Sequence, residues 1–101
     1  SNAQETLAIL GDDVKVVAGF HTISAVILSD LTKELEGDLL IAGDDAQAKE
    51  AILDMGQKIG LRAFDVGPLH QARTLEGLTP MIIGLNKKYK KRHIGIKLTG
   101  I

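Results

Sequence analysis

The chain has 101 residues, of which 45% are hydrophobic and 25% charged, and its formal net charge is −1. This length allows one domain with a modest core, and the near-neutral charge gives no general attraction to nucleic acid or membranes. The lack of cysteine excludes a disulfide framework, a thiolate metal site and a cysteine nucleophile, which fits a cytoplasmic location. No apolar stretch is long enough to span a bilayer, and no signal peptide is recognised.

The amino-terminal part of the chain predicts a helix, a strand and a second helix. Residues 1–3 are interpreted as an expression scar, so residues 4–101 are taken as a single domain. Residues 4–10 are typical of the end of a helix that begins upstream in a longer protein. Residues 14–20 form a nearly continuous apolar run, which predicts a strand buried on both faces. The apolar stretch 23–31 favours a short helix.

The middle of the chain predicts a strand, a capped helix and another strand. Residues 39–42 form the strand, and either Asp44 or Asp45 is suited to cap the next helix, which extends to about Ile59. The apolar spacing predicts one buried stripe on this helix, formed by Ala48, Ile52, Met55 and Ile59. Residues 62–66 form the next strand, which ends at a Gly-Pro turn whose Asp65 is a turn residue.

The carboxy-terminal part predicts a long helix and a final strand. The helix begins near Leu69, and Pro80 should kink it. Its buried face is predicted to contain Ala72, Leu75, Leu78, Ile82, Leu85 and Tyr89. Residues 94–98 alternate apolar and other residues, which is typical of a half-buried edge strand. Strands alternating with helices predict an α/β fold with a mostly parallel four-stranded sheet under helical cover.

Few side chains in this pattern indicate catalysis. His21 closes an apolar strand, where it is either a ligand contact or a satisfied boundary histidine, and no partner at metal-ligand spacing accompanies it. Thr79-Pro80 is either a ligand-facing hydroxyl beside a freed carbonyl or a simple kink, and both interpretations stay open. No nucleophile motif or poised carboxylate pair is recognisable. The chain is therefore predicted to bind rather than to supply catalytic groups.

A basic run covers residues 87–92. It could bind phosphate or nucleic acid, complement the dipole at the end of the helix, or contact an anionic coenzyme tail. One basic turn in a chain of net charge −1 is a weak nucleic-acid signal, so nucleic acid is not expected as a partner.

Five motifs occur in a fixed order along the chain. They are Val16-Val17-x-x-x-His21-Thr22-Ile23, Gly43-Asp44-Asp45, Gly67-Pro68-Leu69 with Arg73 following, Leu78-Thr79-Pro80 and Gly95-Ile96-Lys97. Together they resemble the carboxy-terminal half of the coenzyme F-420-dependent NADP oxidoreductases. A dinucleotide-binding glycine fingerprint is missing, so the half that would hold NADP is not in this chain.

The resemblance implies a deazaflavin-side domain that works with an amino-terminal Rossmann domain. Enzymes of this family move hydride between NADP(H) and the deazaflavin coenzyme F-420, and the Rossmann domain holds NADP. The residues implied to line the deazaflavin pocket are His21, Thr22, Ile23, Ala25, Gly77, Thr79, Ile82, Ile83 and Ile94. Ala25 would lie near the nicotinamide, and no catalytic residue or metal ligand is implied.

Two residues depart from the family pattern, namely Ser24 in place of proline and Gly77 in place of serine. The chain alone is not expected to turn over, and a homodimer is expected. A non-catalytic dimerisation or regulatory module of the same fold is the alternative, because the surface that would face the Rossmann domain should be apolar and exposed.

Overall fold

The chain folds into a small α/β unit. Its structure is a computed structural model, which describes residues 1–11, 13–22 and 36–101. Within those ranges it contains three α-helices and three strands, and a short 3-10 turn at Leu69–Gln71 leads into the last helix. In chain order the elements are α1 (Asn2–Leu10), β1 (Val17–Ala18), β2 (Asp38–Gly43), α2 (Ala46–Lys58), β3 (Arg62–Asp65) and α3 (Ala72–Tyr89). The helix predicted for residues 23–31 lies outside the described residues.

The sheet has the order β1-β2-β3, with β2 in the centre. β3 is parallel to β2, as predicted, and Asp38 lies opposite Arg62 at the start of the pair. β1 is antiparallel to β2 and pairs through only two residues, which corrects the expectation of a mostly parallel sheet. The strand predicted for residues 14–20 is limited to Val17–Ala18, and Phe20, two residues further on, adopts a left-handed backbone conformation at φ 66° that is incompatible with a continuing strand.

The core lies on both faces of β2, whose six residues are all buried. Leu39 and Ile41 pack with Leu61 and with Ile52 of α2 on one face. On the other face, the alternate residues Leu40 and Ala42 pack with Leu75 of α3. This arrangement follows from the alternation of side chains along a strand, and it explains why β2 is a continuous apolar run.

Residues 94–98 do not form the predicted fourth strand, because they have no regular secondary structure. Their side chains do alternate as predicted, since Ile94, Ile96 and Leu98 are half-buried and the residues between them are exposed. The backbone of Asp38 donates to the carbonyl of Ile96 over 2.7 Å, but the amide of Leu98 donates to the Asp38 carboxylate over 2.6 Å. The Asp38 carboxylate thus accepts the hydrogen bond that a backbone carbonyl of β2 would accept in a regular sheet. The segment therefore lies beside β2 without joining the sheet.

The contact face of α2 differs from the predicted stripe. Ile52 packs on the core as expected, but Met55 and Ile59 are 43% and 46% exposed. Gly56 is the buried residue of this helix, and a Cβ atom built on it would lie 2.5 Å from Leu39 Cδ2. The helix therefore approaches the sheet through a residue without a side chain, which hydrophobic periodicity does not detect.

The amino-terminal end of α1 is capped and is held against α3. The Ser1 hydroxyl and the Gln4 side chain form a capping box, so α1 begins at Asn2 and includes residues interpreted above as a scar. The carboxylate of Glu76 on α3 accepts hydrogen bonds from the amides of Asn2 and Ala3, both over 3.1 Å. These contacts fix α1 beside α3.

Candidate functional site

Two of the recognised motifs meet where the chain leaves β1. Thr22 is fully buried, and its hydroxyl donates to the carbonyl of Asp38 over 2.9 Å. The carbonyl of the preceding residue, His21, accepts a long hydrogen bond of 3.4 Å from the Thr79 hydroxyl on α3. The motif at 21–22 is therefore held between β2 and α3, and the hydroxyl of Thr79 is used in that contact.

The imidazole of His21 has an unused hydrogen-bonding atom. Its Nδ1 is shielded from solvent and has no hydrogen-bond partner among the described residues. Burial lowers the pKa of His21, and the nearby Glu76 carboxylate opposes that effect. The neutral ring is thus favoured near pH 7, and a buried polar atom without a partner is costly unless a ligand or water satisfies it.

The carboxy-terminal segment approaches the same place. The amide of Ile94 donates to Asn86 Oδ1 at the end of α3 over 3.1 Å. At the next residue, a Cβ atom built on Gly95 would lie 2.9 Å from the carbonyl oxygen of Thr22. This close approach is possible because Gly95 has no side chain. The structure therefore brings His21, Thr22, Thr79 and the segment containing Ile94 together.

The remaining sequence-predicted residues are placed differently. On α3, Gly77 faces open space, and Ile83 is 51% exposed. Ile82 is 7% exposed and belongs to the core, so these neighbours on one helix do not share a surface. Ile23 and Ala25 lie outside the described residues.

A large open cavity lies at the amino-terminal ends of β2 and β3, and the sequence analysis did not find it. Its volume is about 530 Å³, and its lining includes none of the seven predicted site residues that lie within the described ranges. Its polar lining residues are Glu36, Asp38, Arg62, His93 and Lys97. It also borders Gly95 and Ile96 of the carboxy-terminal segment, and Gly95 lies against Thr22.

Asp38 and Arg62 form a bidentate ion pair beside this cavity. Arg62 Nε and Nη2 donate to the two carboxylate oxygens over 2.9 and 2.7 Å, and the guanidinium also donates to the carbonyls of Leu98 and Ile101. The hydrogen bond from Arg62 holds the pKa of Asp38 below its usual range, despite burial. Opposite charges at the first positions of two neighbouring parallel strands were the available signal, and the pair fixes the carboxy-terminal segment rather than a ligand.

The acidic residues at the other ends of the strands have the structural roles that were predicted. Asp45 caps α2 by accepting from the amide of Ala48 over 2.8 Å, and Asp44 accepts from the amide of Leu69 over 2.9 Å. Asp65 accepts from the amide of Gly67 over 2.9 Å and pairs with Lys49 over 2.9 Å. These contacts occupy the carboxylates in capping, turn and ion-pair interactions.

Known proteins with similar sequences include F420-dependent NADP reductases. No protein-family model matches the chain. It is 40% identical over 88 residues to the F420-dependent NADP reductase of Methanocaldococcus jannaschii, covering 86% of this chain and 40% of that protein. It is 39% identical over 103 residues to the reductase of the same name from Methanothermobacter marburgensis, covering 100% of this chain and 46% of that protein.

The fold agrees with these sequence matches. The structure superposes with a TM-score of 0.86 on the crystal structure of an Arthrobacter sp. FB24 protein assigned as an F420-dependent NADP reductase. The two are 22% identical, and the match covers 98% of this chain and 46% of the other. The α/β fold of this chain is therefore that of part of the Arthrobacter protein.

The resemblance stated from the sequence is thus confirmed, because this chain is homologous to part of the F420-dependent NADP reductases. It spans less than half the length of the curated relatives it matches. No helix in the described ranges is both long and apolar enough to cross a membrane.

Proposed function

We propose that residues 4–101 are the carboxy-terminal, deazaflavin-binding half of an oxidoreductase that transfers hydride between NADP(H) and coenzyme F-420. A Rossmann domain outside this chain would hold NADP. The proposal is supported by relatives named F420-dependent NADP reductase, of which this chain matches 40% and 46%. Those proportions leave room in the relatives for a nucleotide-binding half.

The observation that carries the proposal is the contact between Thr79 and His21. The Thr79 hydroxyl donates to the His21 carbonyl across 58 positions of the sequence, so two motifs that resemble family motifs are adjacent in space. Gly95 lies against Thr22 at the same place. A ligand that contacts these motifs together would meet apolar walls with a few fixed polar groups, as small-molecule sites usually provide.

The residues would bind and orient the coenzyme rather than react with it. His21 fits this role because its shielded Nδ1 has no partner in the described residues, and a ligand atom would satisfy it. Ile83 and Ile94 would exclude water, and Gly77 would let the ligand approach the helix backbone closely. We also assign Ile23 and Ala25 to the wall of this pocket, and we assign Ile82, which is buried in the core, to the layer behind that wall.

When bound, the deazaflavin and nicotinamide supply the hydride chemistry themselves. The contribution of this chain is alignment, because hydride transfer requires the reacting carbons to be held about 3–3.5 Å apart. No proton donor on this chain is required for that step.

The proposal is tested by titrating the chain with coenzyme F-420, alone and together with the remaining part of a full-length relative. We expect binding to the chain, and hydride transfer from NADPH only in the reconstituted pair. Persistent lack of both binding and transfer would overturn the proposal.

A His21→Ala variant should weaken coenzyme binding about three- to tenfold, because one hydrogen bond contributes about 0.5–1.5 kcal/mol. The matched control is His70→Ala, since His70 is exposed in the 3-10 turn away from this site. Equal affinities of the two variants would remove His21 from the binding site.

The non-catalytic dimerisation or regulatory module remains the second candidate. It is favoured by the exposure of Met81 and Ile83, which are 49% and 51% exposed on α3. Sedimentation distinguishes the two functions, because a stable dimer that ignores both cofactors would favour the module.

A further inference from the structure

Positive charge is concentrated at the carboxy-terminal end of α3. Five of the twelve basic residues lie in the segment Lys87–Arg92, which we name the basic turn. The remainder of the chain, with seven basic and thirteen acidic residues, has a formal charge of −6. No aspartate or glutamate follows Glu76, so the second half of α3 and the whole carboxy-terminal segment have no acidic side chain.

The helix dipole accounts for only part of this cluster. Cations in the last helical turn gain about 0.3–1 kcal/mol each from the dipole, which suits Lys87 and Lys88. Lys90, Lys91 and Arg92 lie beyond Tyr89, the last residue of α3. The ion pairs Lys49–Asp65 and Arg62–Asp38 lie elsewhere in the described part of the chain, and neither uses a lysine of the basic turn.

Lys90 occupies a position where the backbone favours another residue. It caps α3 in the left-handed conformation, at φ 54° and ψ 48°, which glycine or asparagine adopts at lower cost. Capping therefore does not explain a lysine at this position. Lys90 adds a positive charge to the four others of the basic turn.

The basic turn is attached directly to the candidate site. The carbonyl of Asn86 accepts from the amide of Lys91 over 2.9 Å, while its side-chain oxygen accepts from the amide of Ile94 over 3.1 Å. Asn86 thus joins the turn to the residue proposed as a wall of the deazaflavin pocket. A ligand that extends from this pocket along α3 would reach the lysines.

We propose that the basic turn binds the anionic tail of the coenzyme, meaning the phosphate and carboxylate groups that coenzyme F-420 carries beyond its deazaflavin ring and ribityl chain. This inference rests on the proposed function. Charge complementarity supports it, because the turn is exposed and positive in a chain whose remainder is negative. The neighbouring cavity, in contrast, has charges of both signs, because Glu36 and Asp38 line it together with Arg62 and Lys97.

The test compares two ligands on the full 101-residue chain. One is coenzyme F-420 with its oligoglutamate tail, and the other is the corresponding tail-less deazaflavin, which has neither phosphate nor glutamate. The variant is Lys90→Gln/Lys91→Gln, and the matched control is Lys15→Gln/Lys58→Gln, which removes two exposed lysines elsewhere.

We expect the basic-turn variant to bind coenzyme F-420 about three- to tenfold more weakly at low salt, because exposed charge contacts are individually modest. The same variant should bind the tail-less deazaflavin within about twofold of the unmodified chain, and the control pair should bind both ligands normally. Added salt should reduce the difference, because it screens exposed charges.

The outcomes separate this inference from the proposed function. If the variant and control bind both ligands equally, the tail inference is overturned while the proposed function stands. If neither ligand binds the unmodified chain, the proposed function fails and the inference fails with it. If the variant loses only affinity for a 20-nucleotide RNA probe, the basic turn is a nucleic-acid surface and the tail inference is overturned.

Discussion

Gly56 determines how closely α2 approaches the sheet. A Cβ atom there would lie 2.5 Å from Leu39 Cδ2, and Leu39 is completely buried in the core. Since interiors are close-packed, the added methyl group would force a shift of the helix or of Leu39. The absence of a side chain at this position is therefore a packing requirement, although glycine is unfavourable inside a helix.

Gly56→Ala is expected to lower the free energy of unfolding by about 1–2 kcal/mol, because overpacking outweighs the gain in helix propensity. The matched control is Gly84→Ala, which lies inside α3 with open space around its Cβ position. That change should raise stability by about 0.5–1 kcal/mol. Urea unfolding of both variants measures the difference, and a stabilised Gly56→Ala variant would contradict the packing found here.

Asp38 connects three parts of the chain. It takes two hydrogen bonds from Arg62, one from the amide of Leu98, and at its backbone carbonyl one from Thr22. It is 1% exposed, so each of these contacts replaces lost hydration. Asp38→Asn should lower the free energy of unfolding by about 1–3 kcal/mol, because Arg62 loses its carboxylate partner but stays partly solvated.

The control for Asp38→Asn is Asp65→Asn, which removes the more exposed ion pair with Lys49 and should cost about 0–1 kcal/mol. Because Arg62 lowers the pKa of folded Asp38, its stabilisation is complete above the ordinary aspartate pKa of about 3.9 and is lost as pH falls through the lowered value. Denaturant unfolding at pH 7 and pH 3 should therefore show a large gap between the chain and Asp38→Asn that shrinks in acid. A gap that grows in acid would contradict the pairing.

Among the helices and strands, the sequence correctly predicted many of the side chains that are buried. It did not predict which group accepts each backbone hydrogen bond. Alternation along residues 94–98 correctly indicated which side chains are buried, since alternation reports faces. It did not reveal that the Asp38 carboxylate accepts the amide of Leu98 in place of a neighbouring strand. Turn chemistry was more predictable, because Asp45 and Asp65 act on amides only two or three residues away.

At the candidate site too, the sequence predicted some of the residues and missed others. The ordered motifs led to His21 and Thr79, whose contact the structure contains. The cluster of Asp38 and Arg62 escaped detection because its two members are 24 residues apart and meet only through parallel strand register. Burial on α3 was predicted well at Ala72, Leu75 and Ile82 but not at Tyr89, which is 58% exposed at the end of the helix.

For the whole molecule, exposed apolar side chains indicate where another surface would bind. Met81 on α3 is 49% exposed, and it lies on the helix that carries four of the proposed site residues. Met81→Gln should leave the free energy of unfolding within about 0.5 kcal/mol of the unmodified chain, as surface changes usually do, while weakening association with the remaining part of a full-length relative. Analytical ultracentrifugation of the mixture measures that association.

The matched control for this change is Met55→Gln, because Met55 is 43% exposed on α2. It should leave association unchanged if docking uses α3. Equal loss of association in both variants would show that the effect is general surface hydrophobicity, and no loss in either would exclude the α3 surface from docking.

Gly95 limits how close the carboxy-terminal segment and the chain after β1 can lie to each other. A single methyl group there would meet the Thr22 carbonyl at 2.9 Å, and carbonyl backbone cannot rotate away as a flexible side chain can. It would act as a wedge that separates the carboxy-terminal segment from the chain after β1 and carries Ile94 outward. The distance between that segment and Thr22 is thereby limited by one missing carbon atom.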